Sequence, residues 1–387
     1  MNINLLSMDN PYVTKIGGKH IHLSLLERGL KEINNCKVST NYYNMFNRNI
    51  FDKLKTRAIL YTKGYLSSYI SDTKYKKNYM EKLTRNTNTD IVNAHDSLSL
   101  ISFKGKAKGK ILTLHGYLSR EVINYGNFSD REKSIVEDYF MDVERKALNI
   151  ADHVITVDTR IKNYLIDEFN YPSDKIKVIY NAIDTDKFHP VSNIEKNTLR
   201  SELNLKKDDI IVLIPRRLVK KNGILNAAKA ALQCQNDNFK FIFIGDGPLK
   251  NDLIDYSNKT PNIIFLGKIN HDEIVKYYQC CDIVLIPSIL SDGVEEATSL
   301  SMLEGMSAGK VVLCSEIGGM KEVIKNEKNG IFIKQNSPSD IIEKIVSLIK
   351  NPEIKENIQI NATEYAKENH GYMNHARNFY NEYVKCI

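Results

Sequence analysis

Two glutamates near residue 300 are the side chains best suited to chemistry. Glu296 and Glu304 bound the segment EATSLSMLE, which closely follows the apolar run DIVLIPS. The hydroxyls able to cap a helix that begins between them belong to Thr298, Ser299 and Ser301. A carboxylate at such a sheet edge accepts hydrogen bonds from both hydroxyls of a vicinal diol, as found in sugars. The alternative is that both acids are solvated and favoured only by the helix dipole.

A basic cluster follows a second apolar run. In IPRRLVKKNG, at 214–223, the cationic side chains are Arg216, Arg217, Lys220 and Lys221. A guanidinium and an ammonium aimed at one point are a common way to hold a diphosphate. Exposed basic loops are also common, so this cluster alone leaves an ordinary surface loop open.

Three glycine groups lie at predicted strand-to-helix turns. They are Gly17 with Gly18, Gly245 with Gly247, and Gly318 with Gly319. Glycine allows backbone amides to approach an anion closely, although many such glycines only make tight turns. None of the three completes the dinucleotide-binding fingerprint, and GxxxxGK[ST] is absent from the sequence, so NAD and P-loop chemistry are disfavoured.

Two histidines and two aspartates are further polar residues of interest. His95 and His115 both end predicted strands of the first half, where a histidine can hydrogen-bond a sugar, act as an acid or base, or be structural. Asp184 and Asp186 form a D-x-D pair. Two acids alone do not hold a divalent ion, so no metal site is expected there.

Short apolar runs alternate with helical patterns along most of the chain, which is typical of parallel sheets covered by helices. The predicted strands of the first half are 3–8, 90–95, 110–116, 153–158 and 175–181. Those of the second half are 209–215, 240–247, 263–267, 282–288, 310–315 and 330–334. Helical spacing of apolar residues is clearest at 19–33, 224–234 and 340–350. The pattern predicts an α/β protein with two tandem, Rossmann-like, doubly wound sheets that face each other across a cleft.

The predicted domains are residues 1–190 and 191–370, followed by a helical segment, 371–387, that is expected to cross back to the first domain. The polar stretch 184–197 is the predicted hinge, because it contains a proline and no apolar period.

The composition is that of a globular protein, with 42% hydrophobic and 26% charged residues. The apolar runs are too short to span a bilayer, and the first ten residues lack the basic start of a secretory signal, so a cytoplasmic location is expected. The six cysteines show no metal-ligand spacing and are expected to be reduced packing residues.

The net charge of +7 lies entirely within residues 1–190, since 191–387 are neutral overall. Residues 53–85 contain nine basic side chains among five tyrosines. Such a segment is typical of contact with an anionic acceptor, a membrane surface or nucleic acid, and equally of an ordinary solvated face.

The order of these pieces resembles retaining glycosyltransferases of family 4, which have the two-domain GT-B-type fold. The resemblance runs nearly from end to end. It rests on IGGKHIHLSLLERGL, TLHG, ADHVITVDTRIKNYL, KIKVIYNAIDTDKF, PRRLVKKNG, FIGDGPLKNDL, IIFLGKI, CDIVLIPS, EEATSLSMLEGMSAGK and IGGMKEVI.

The resemblance implies roles for individual residues. Arg217 matches the arginine that grips the donor diphosphate, and Glu304 matches the glutamate that binds the nucleotide ribose. Glu296 and His115 match catalytic residues beside the donor sugar, and Lys221 is expected to assist at the diphosphate. The remaining donor-binding residues implied are Gly18, Asn181, Arg216, Gly245, Gly247, Lys268, Ile269, Ala297, Thr298, Ser299 and Leu300.

This chain departs from the family pattern beside the donor. Arg216 replaces the usual glycine, and Asn222 occupies the place of the usual second basic residue, so either Lys221 substitutes for it or that contact is lost. Ala297, Thr298 and Ser299 also differ from the residues that usually follow the first glutamate. The donor base therefore stays open, with a UDP-sugar as the default and GDP-mannose next.

The resemblance implies a retaining, metal-independent glycosyltransferase without a cofactor. In similar enzymes the first domain binds the acceptor and the second the nucleotide-sugar. The expected acceptor is a glycan, a glycolipid or a protein used in cell-surface synthesis, met at the inner membrane face; no nucleic-acid partner is expected. Two alternatives are a sugar-nucleotide epimerase on the same fold and a non-catalytic nucleotide-sugar-binding subunit.

Overall fold

The computed structural model describes residues 1–12, 17–44, 48–234, 236, 238–291 and 298–387. These residues form two compact units. The first unit contains Met1–Tyr180 and His375–Ile387, and the second contains Asn181–Asn374.

The border between the units differs from the predicted border at residue 190. Ile183 and Phe188 are buried in a core of the second unit, so this part of the predicted hinge belongs to that unit. The rest of the predicted hinge contains a helix start at Asn193, which Ser192 caps together with Glu195. A short capped turn has too few apolar residues to show a period, which is why the sequence indicated a linker.

The first unit is a parallel sheet of six strands in the order β2-β1-β3-β4-β5-β6. Its strands are β1 (Asn2–Ser7), β2 (Lys37–Tyr42), β3 (Asn88–Ala94), β4 (Lys106–Leu114), β5 (His153–Thr156) and β6 (Ile176–Val178). Its helices are α1 (Gly17–Glu32), α2 (Ile50–Thr84), α3 (Ser97–Ile101), α4 (Leu118–Tyr125), α5 (Asp130–Ile150) and α6 (Thr159–Phe169).

The second unit is also a parallel six-stranded sheet, in the order β12-β11-β10-β7-β8-β9. Its strands are β7 (Ile210–Pro215), β8 (Phe239–Ile244), β9 (Ile263–Gly267), β10 (Ile283–Ile286), β11 (Val311–Ser315) and β12 (Ile331–Ile333). Its helices are α7 (Asn193–Glu202), α8 (Ile224–Gln233), α9 (Lys250–Ser257), α10 (His271–Cys280), α11 (Leu300–Ser307), α12 (Met320–Val323), α13 (Pro338–Lys350) and α14 (Pro352–His370). The last helix of the chain is α15 (Tyr372–Val384). These elements confirm the prediction of two doubly wound parallel α/β sheets.

Alternation along the strands fills a core on each face of the second sheet. Val212 and Ile214 of β7 pack towards α8 and α13, whereas Ile211 and Leu213 pack towards α11 and α14. Successive strand side chains point to opposite faces, so a strand covered on both sides must be apolar throughout. Each such fully buried aliphatic side chain contributes about 1.5–3 kcal/mol.

The first sheet also receives the end of the chain. Phe379 and Tyr383 are fully buried in the core that contains Ile3 and Leu5. Inside this core the Asn93 side-chain amide donates to the Tyr383 hydroxyl at 2.7 Å. The segment His375–Ile387 is therefore an integral part of the first unit.

A buried ion cluster supports the second sheet near the start of β10. The Asp282 carboxylate pairs with Lys196 at 2.6 Å and with Arg200 at 2.7 Å. Burial by itself would raise the pKa of Asp282, but these two cations hold the pKa at about 2. The cluster joins α7 to the sheet in its ionised form.

Helix α2 is bent at Gly64, which has a φ of 82°. The Ser68 hydroxyl donates to the Thr56 carbonyl at 3.2 Å, so the parts before and after the bend contact each other. We call residues 50–63, the part before the bend, the α2 arm. Most of its residues are exposed.

Two predictions about composition have structural counterparts. Among the described helices, none has the length and apolarity required to cross a bilayer. All six cysteines are free thiols; Cys280, Cys281 and Cys314 are buried, and the other three are partly buried.

Candidate functional site

The candidate site of the second unit lies where its strand order reverses. β7 is the first strand of this sheet, and its neighbours are β10 on one side and β8 on the other. In open parallel sheets such a reversal leaves a crevice at the carboxyl ends of the strands. Arg216 and Arg217 follow β7, and Ser288 follows β10, so the predicted basic cluster lies at this point.

Arg216 ties together the loops around the crevice. It is 8% exposed, and its guanidinium donates to the Ser299 hydroxyl at 2.7 Å. The same guanidinium donates to the Asn222 side-chain oxygen at 2.8 Å and to the Ser288 hydroxyl at 3.2 Å. The side chain thus links the end of β7 to the loop after β10 and to the start of α11.

Arg217 and Lys221 have more open surroundings. Arg217 is exposed, and its carbonyl accepts a hydrogen bond from the Asn222 side-chain amide at 2.8 Å. Lys221 is half-buried in the 3-10 turn Lys220–Asn222, and its carbonyl accepts from the Ile289 amide at 2.8 Å. The Asn222 side chain bonds to Arg216 and to the Arg217 carbonyl within the loop, and the Arg217 side chain is exposed to solvent. That Lys221 acts on the diphosphate stays a prediction.

The glycines after β8 shape the arginine loop. A Cβ on Gly245 would lie 2.0 Å from the Arg216 carbonyl oxygen, and one on Gly247 would lie 2.6 Å from the Leu218 carbonyl oxygen. The Gly245 amide already donates to the Gly267 carbonyl at 2.8 Å, and the Gly247 amide to the Asp246 carboxylate at 3.0 Å. These glycines therefore permit close packing, and their amides already have acceptors within the protein.

The predicted residues after β9 differ from each other in their surroundings. Lys268 directly follows the edge strand β9 and is exposed. Ile269 is half-buried and packs against the core that contains α11. Of these two, only Lys268 has a polar group exposed for a ligand.

Glu304 on α11 is the buried acid of this site. One carboxylate oxygen contacts the His271 ring at 2.9 Å, and the other accepts from the Tyr278 hydroxyl at 2.7 Å. The hydrogen bond to Glu304 raises the pKa of His271 above its ordinary value. Burial and the nearby carboxylate raise the pKa of Tyr278 well above its ordinary value, so this tyrosine keeps its proton. The carboxylate is held in one orientation while its remaining lone pairs are available to a hydroxyl-bearing ligand.

The start of α11 is buried. Thr298 and Ser299 are 4% and 2% exposed, and Leu300 packs partly buried against the core. Ser299 accepts from Arg216, which fixes this helix start beside the arginine loop. Glu296 and Ala297 lie outside the described residues, so their predicted positions beside the donor sugar stay predictions.

The first unit has a histidine cluster at its own strand reversal. His95 and His115 directly follow the neighbouring strands β3 and β4, and His95 Nδ1 lies 3.1 Å from His115 Nε2. His22 of α1 contacts both rings edge-on, with centroids 5.4 and 4.5 Å away. Burial and the neighbouring His22 lower the pKa of His95 and of His115 well below the ordinary value. Both imidazoles are therefore neutral at physiological pH.

A partly buried ion cluster lies beside these histidines at the start of α1. Gly18 is in the first turn of α1, and the next residue, Lys19, pairs with Asp9 at 2.9 Å and Asp96 at 2.8 Å. In the second unit, the Asn181 carbonyl lies 3.0 Å from His370 Nδ1. The roles predicted for Gly18 and Asn181 in donor binding stay predictions.

Sequence reasoning missed three residues of these clusters. His22 lies among the leucines of an amphipathic helix, so it gave no separate signal. His271 and Tyr278 are both on α10, and their seven-residue spacing places them on one helix face. That spacing was available in the sequence, but nothing in it indicated that α11 would place Glu304 against the same face.

Two parallel α/β units with polar clusters at the carboxyl ends of their strands define the class of two-domain, ligand-binding α/β proteins. The family model described as Glycosyltransferase Family 4 matches residues 64–187, and the model described as Glycosyl transferases group 1 matches residues 195–365. The chain belongs to this glycosyltransferase family. The resemblance found in its sequence is thereby confirmed.

Individual relatives agree with this membership. An uncharacterised glycosyltransferase of Methanocaldococcus jannaschii is 31% identical over 264 residues, which are 67% of this chain and 65% of the relative. The chain thus spans slightly less than two thirds of that protein. The UDP-Gal:alpha-D-GlcNAc-diphosphoundecaprenol alpha-1,3-galactosyltransferase of Escherichia coli is 27% identical over 279 residues, 68% of this chain and 67% of the relative.

A solved structure shares the fold. The structure of Anabaena HepE in complex with UDP and glucose has a TM-score of 0.72 at 18% identity and covers 100% of both chains. At this level of identity the similarity shows the fold alone.

Proposed function

We propose that the protein is a retaining glycosyltransferase that moves a sugar from a nucleotide-sugar, most simply a UDP-sugar, to a glycan, lipid-linked or protein acceptor. The observation that carries this proposal is the site of the second unit, where the exposed Arg217 and the buried Glu304 both belong to elements at the strand reversal. A cation for a diphosphate and an oriented carboxylate for a ribose diol are the two groups that a nucleotide-sugar requires.

The leaving diphosphate is the centre of the chemistry. Breaking the bond between the anomeric carbon and the phosphate oxygen places negative charge on the diphosphate and positive charge on the sugar ring. Arg217, together with Lys221 four residues later, stabilises the negative charge on the diphosphate without a metal ion. Preorganised donors of this kind are typically worth about 3 kcal/mol each.

Retention follows if the acceptor attacks from the side on which the diphosphate leaves. The acceptor hydroxyl then transfers its proton to the departing phosphate oxygen, and the new bond forms on the same face of the sugar. His115 and Glu296 are assigned to the donor sugar by their match to the family. The E. coli relative is named for a UDP-Gal donor, which supports a UDP-sugar as the first donor to test.

The α2 arm supports an acceptor at an anionic membrane surface. Phe51 and Tyr61 are 78% and 75% exposed, and with Leu54 and Ala58 they recur at helical spacing on one face. The basic side chains within the arm are Lys53, Lys55, Arg57 and Lys63. Such a helix inserts its apolar face at the level of the lipid headgroups, and each basic residue adds about 1 kcal/mol on anionic lipid. The E. coli relative is named for an acceptor carried on diphosphoundecaprenol.

The first experiment is a thermal-shift panel with UDP, GDP, ADP and their common sugar conjugates, with and without EDTA. A ligand at 100 times its dissociation constant stabilises the folded state by about 2.7 kcal/mol. We expect a selective shift that EDTA leaves unchanged. The shift is expected to be lost in Arg217→Ala and in Glu304→Ala, and to be kept in Lys229→Ala, which removes an exposed cation from α8.

Transfer is then measured with the donor that shifts. A product with the anomeric configuration of the donor supports retention. Inversion of that configuration refutes the proposed mechanism, and a donor that changes stereochemistry when incubated alone indicates an epimerase. Selective binding with no transfer to any glycan, lipid or protein acceptor indicates a binding subunit.

Flotation with liposomes tests the membrane contact. The wild-type protein is expected to float with anionic vesicles and not with zwitterionic ones. The double variant Phe51→Ser with Tyr61→Ser is expected to partition at least about tenfold less. Ile194→Ser is the matched control, because it removes an apolar side chain that is 80% exposed in the second unit. Equal flotation of the arm variant and the control would refute this part of the proposal.

A further inference from the structure

Four histidines of the first unit lie against one another beside the ends of β3 and β4. The His22 ring is 4.5 Å from that of His115 and 4.6 Å from that of His375, measured between centroids. One ring nitrogen from each of His22, His95 and His115 lies within 4.8 Å of those of the other two. Three potential nitrogen ligands therefore converge from α1 and from two adjacent strand ends.

The spacing of these nitrogens fits a small metal ion. Bonds of about 2.0–2.1 Å in a tetrahedral Zn²⁺ site place the ligand nitrogens roughly 3.3–3.4 Å apart. His95 Nδ1 and His115 Nε2 already lie 3.1 Å apart. The His22 ring nitrogen lies at most 4.8 Å from the other two nitrogens. It therefore has to move by at most about 1.5 Å to reach the spacing of a tetrahedral site, and a rotation of the side chain supplies a movement of that size.

The surroundings accept a cation. Lys19 is the nearest ammonium, but Asp9 and Asp96 both pair with it, so these three side chains together have a charge of about −1.

The cluster contains a buried polar atom that has no hydrogen-bond partner among the described residues. His95 is 1% exposed, and its Nε2 has no hydrogen-bond partner among the described residues. A buried polar atom without a partner costs about 1–3 kcal/mol. A metal ion at His95 Nδ1 does not supply a partner for Nε2, but the free energy of metal binding exceeds that cost, so a buried ring of this kind can still serve as a ligand.

We propose that His22, His95 and His115 form a binding site for a divalent transition-metal ion, with Zn²⁺ as the reference ion, and that the bound ion inhibits sugar transfer by occupying the ring of His115. Imidazole nitrogens suit Zn²⁺, Cu²⁺ and Ni²⁺ better than Mg²⁺ or Ca²⁺. The binding half of this proposal stands on the geometry alone, whereas the inhibition half rests on the proposed function.

His115 supplies the route into the cluster. It is partly exposed, whereas His22 and His95 are buried, so an ion reaches His115 first and then the two rings behind it. The ion replaces the single proton that His95 Nδ1 and His115 Nε2 share, and that proton moves to the far nitrogen of its own ring. A water molecule or a chloride ion completes the fourth position.

Metal binding is measured on the full chain after treatment with a chelator. Zn²⁺ is titrated in competition with a chromophoric chelator, and Co²⁺ is added separately so that its visible spectrum reports four-coordination by nitrogen. We expect one ion per chain. More than one ion of similar affinity, or no binding tighter than that of a surface histidine, overturns the proposal.

Two variants locate the site. His22→Leu removes one ligand and is expected to weaken Zn²⁺ binding at least about 100-fold. His375→Phe changes a ring that contacts His22 but lies outside the set of three, and is expected to bind within about threefold of wild type. If His22→Leu does not fold by circular dichroism, His22→Gln replaces it. Unchanged binding in a folded His22 variant, or equal loss in His375→Phe, refutes the assignment.

Transfer assays test the inhibition separately. Zn²⁺ is expected to lower the wild-type rate at least about tenfold at saturation, and a chelator is expected to restore it. In His22→Leu, the rate measured with Zn²⁺ is expected to stay within about twofold of the same variant's metal-free rate. An active enzyme that binds no Zn²⁺ refutes the metal site alone. A chain that binds Zn²⁺ but transfers no sugar keeps the metal site and refutes the proposed function.

Discussion

Replacing Arg216 with alanine tests how far one buried guanidinium holds the site of the second unit together. The side chain donates to Asn222, Ser288 and Ser299, which belong to three separate loops. Arg216→Ala removes all three hydrogen bonds in a place that water barely reaches. The expected result is a less stable second unit whose crevice loops have lost their common anchor.

The size of the effect follows from these contacts. A hydrogen bond from a charged donor contributes about 1.5–3 kcal/mol. The hydroxyls of Ser288 and Ser299 can rotate to other acceptors, whereas the side-chain oxygen of Asn222 stays buried without its donor. We therefore expect a loss of about 2–4 kcal/mol, which is less than the sum of about 4.5–9 kcal/mol for three such bonds. For a unit of this size that corresponds to a fall in Tm of roughly 4–16 °C.

Calorimetry and hydrogen–deuterium exchange measure this effect together. Calorimetry gives the fall in Tm, and exchange should rise in peptides that contain the turn Lys220–Asn222 and helix α11. Peptides from α13 should change little, because none of these three acceptors lies on that helix. Lys229→Ala is the control and is expected to stay within about 0.5 kcal/mol of wild type. A Tm for Arg216→Ala equal to that of the control would refute the reasoning.

Three further predictions follow from single contacts. Gly245→Ala places a Cβ 2.0 Å from a carbonyl oxygen at a φ of +154°, so it should lower the free energy of unfolding, measured in urea, by at least about 2 kcal/mol. In the control Gly267→Ala the new Cβ meets no atom within 4 Å, so only the φ of +69° counts and the loss should be about 1 kcal/mol. The pKa of Asp282 is lowered to about 2, so its ion pairs stabilise the fold fully above about pH 4 and this stability is lost as the pH falls from about 4 to 2. Asp282→Asn should therefore remove about 2 kcal/mol of stability that depends on acid pH. The hydrogen bond to Glu304 is the main cause of the raised pKa of His271, so Glu304→Gln should lower that pKa in an NMR titration. In the wild type, the stability from this pair is present at low pH and is lost as the pH rises through the raised pKa. An unchanged His271 titration in the variant would contradict the contact.

The strands that the sequence predicts best are those buried on both faces. Runs such as IIVLI at 210–214 have no polar face, which is a direct consequence of cover by helices on both sides. Strand β2, KVSTNY, was not predicted, because it is an edge strand with only partial burial and polar residues between its few apolar ones. The α2 arm was identified only as a basic segment, since its apolar residues face solvent and not a core.

The site could be predicted only as separate pieces. Arg217 and Glu304 were found because each follows a recognisable strand, and strand ends meet at one edge of a parallel sheet. The partners of Glu304 on α10 and the contacts of Arg216 depend on how helices and loops pack, which no local pattern specifies. The sequence left two roles open for Gly245 and Gly247, which were to present amides to an anion or to make tight turns. The amides of both glycines bond within the protein, and a Cβ at either position would meet a backbone carbonyl.

The return of the chain end to the first unit sets the order in which the two units can fold during synthesis. Phe379 and Tyr383 complete the core that Ile3 and Leu5 begin, yet all of Asn181–Asn374 is translated in between. At 5–20 residues per second, the ribosome needs about 10–40 s for that interval of roughly 200 residues. During this time the face of the first sheet that Phe379 and Tyr383 complete is covered only in part, by α1, whereas the second unit is continuous in sequence and can fold as soon as it emerges. The half of the protein that is made first is therefore the last to complete its core.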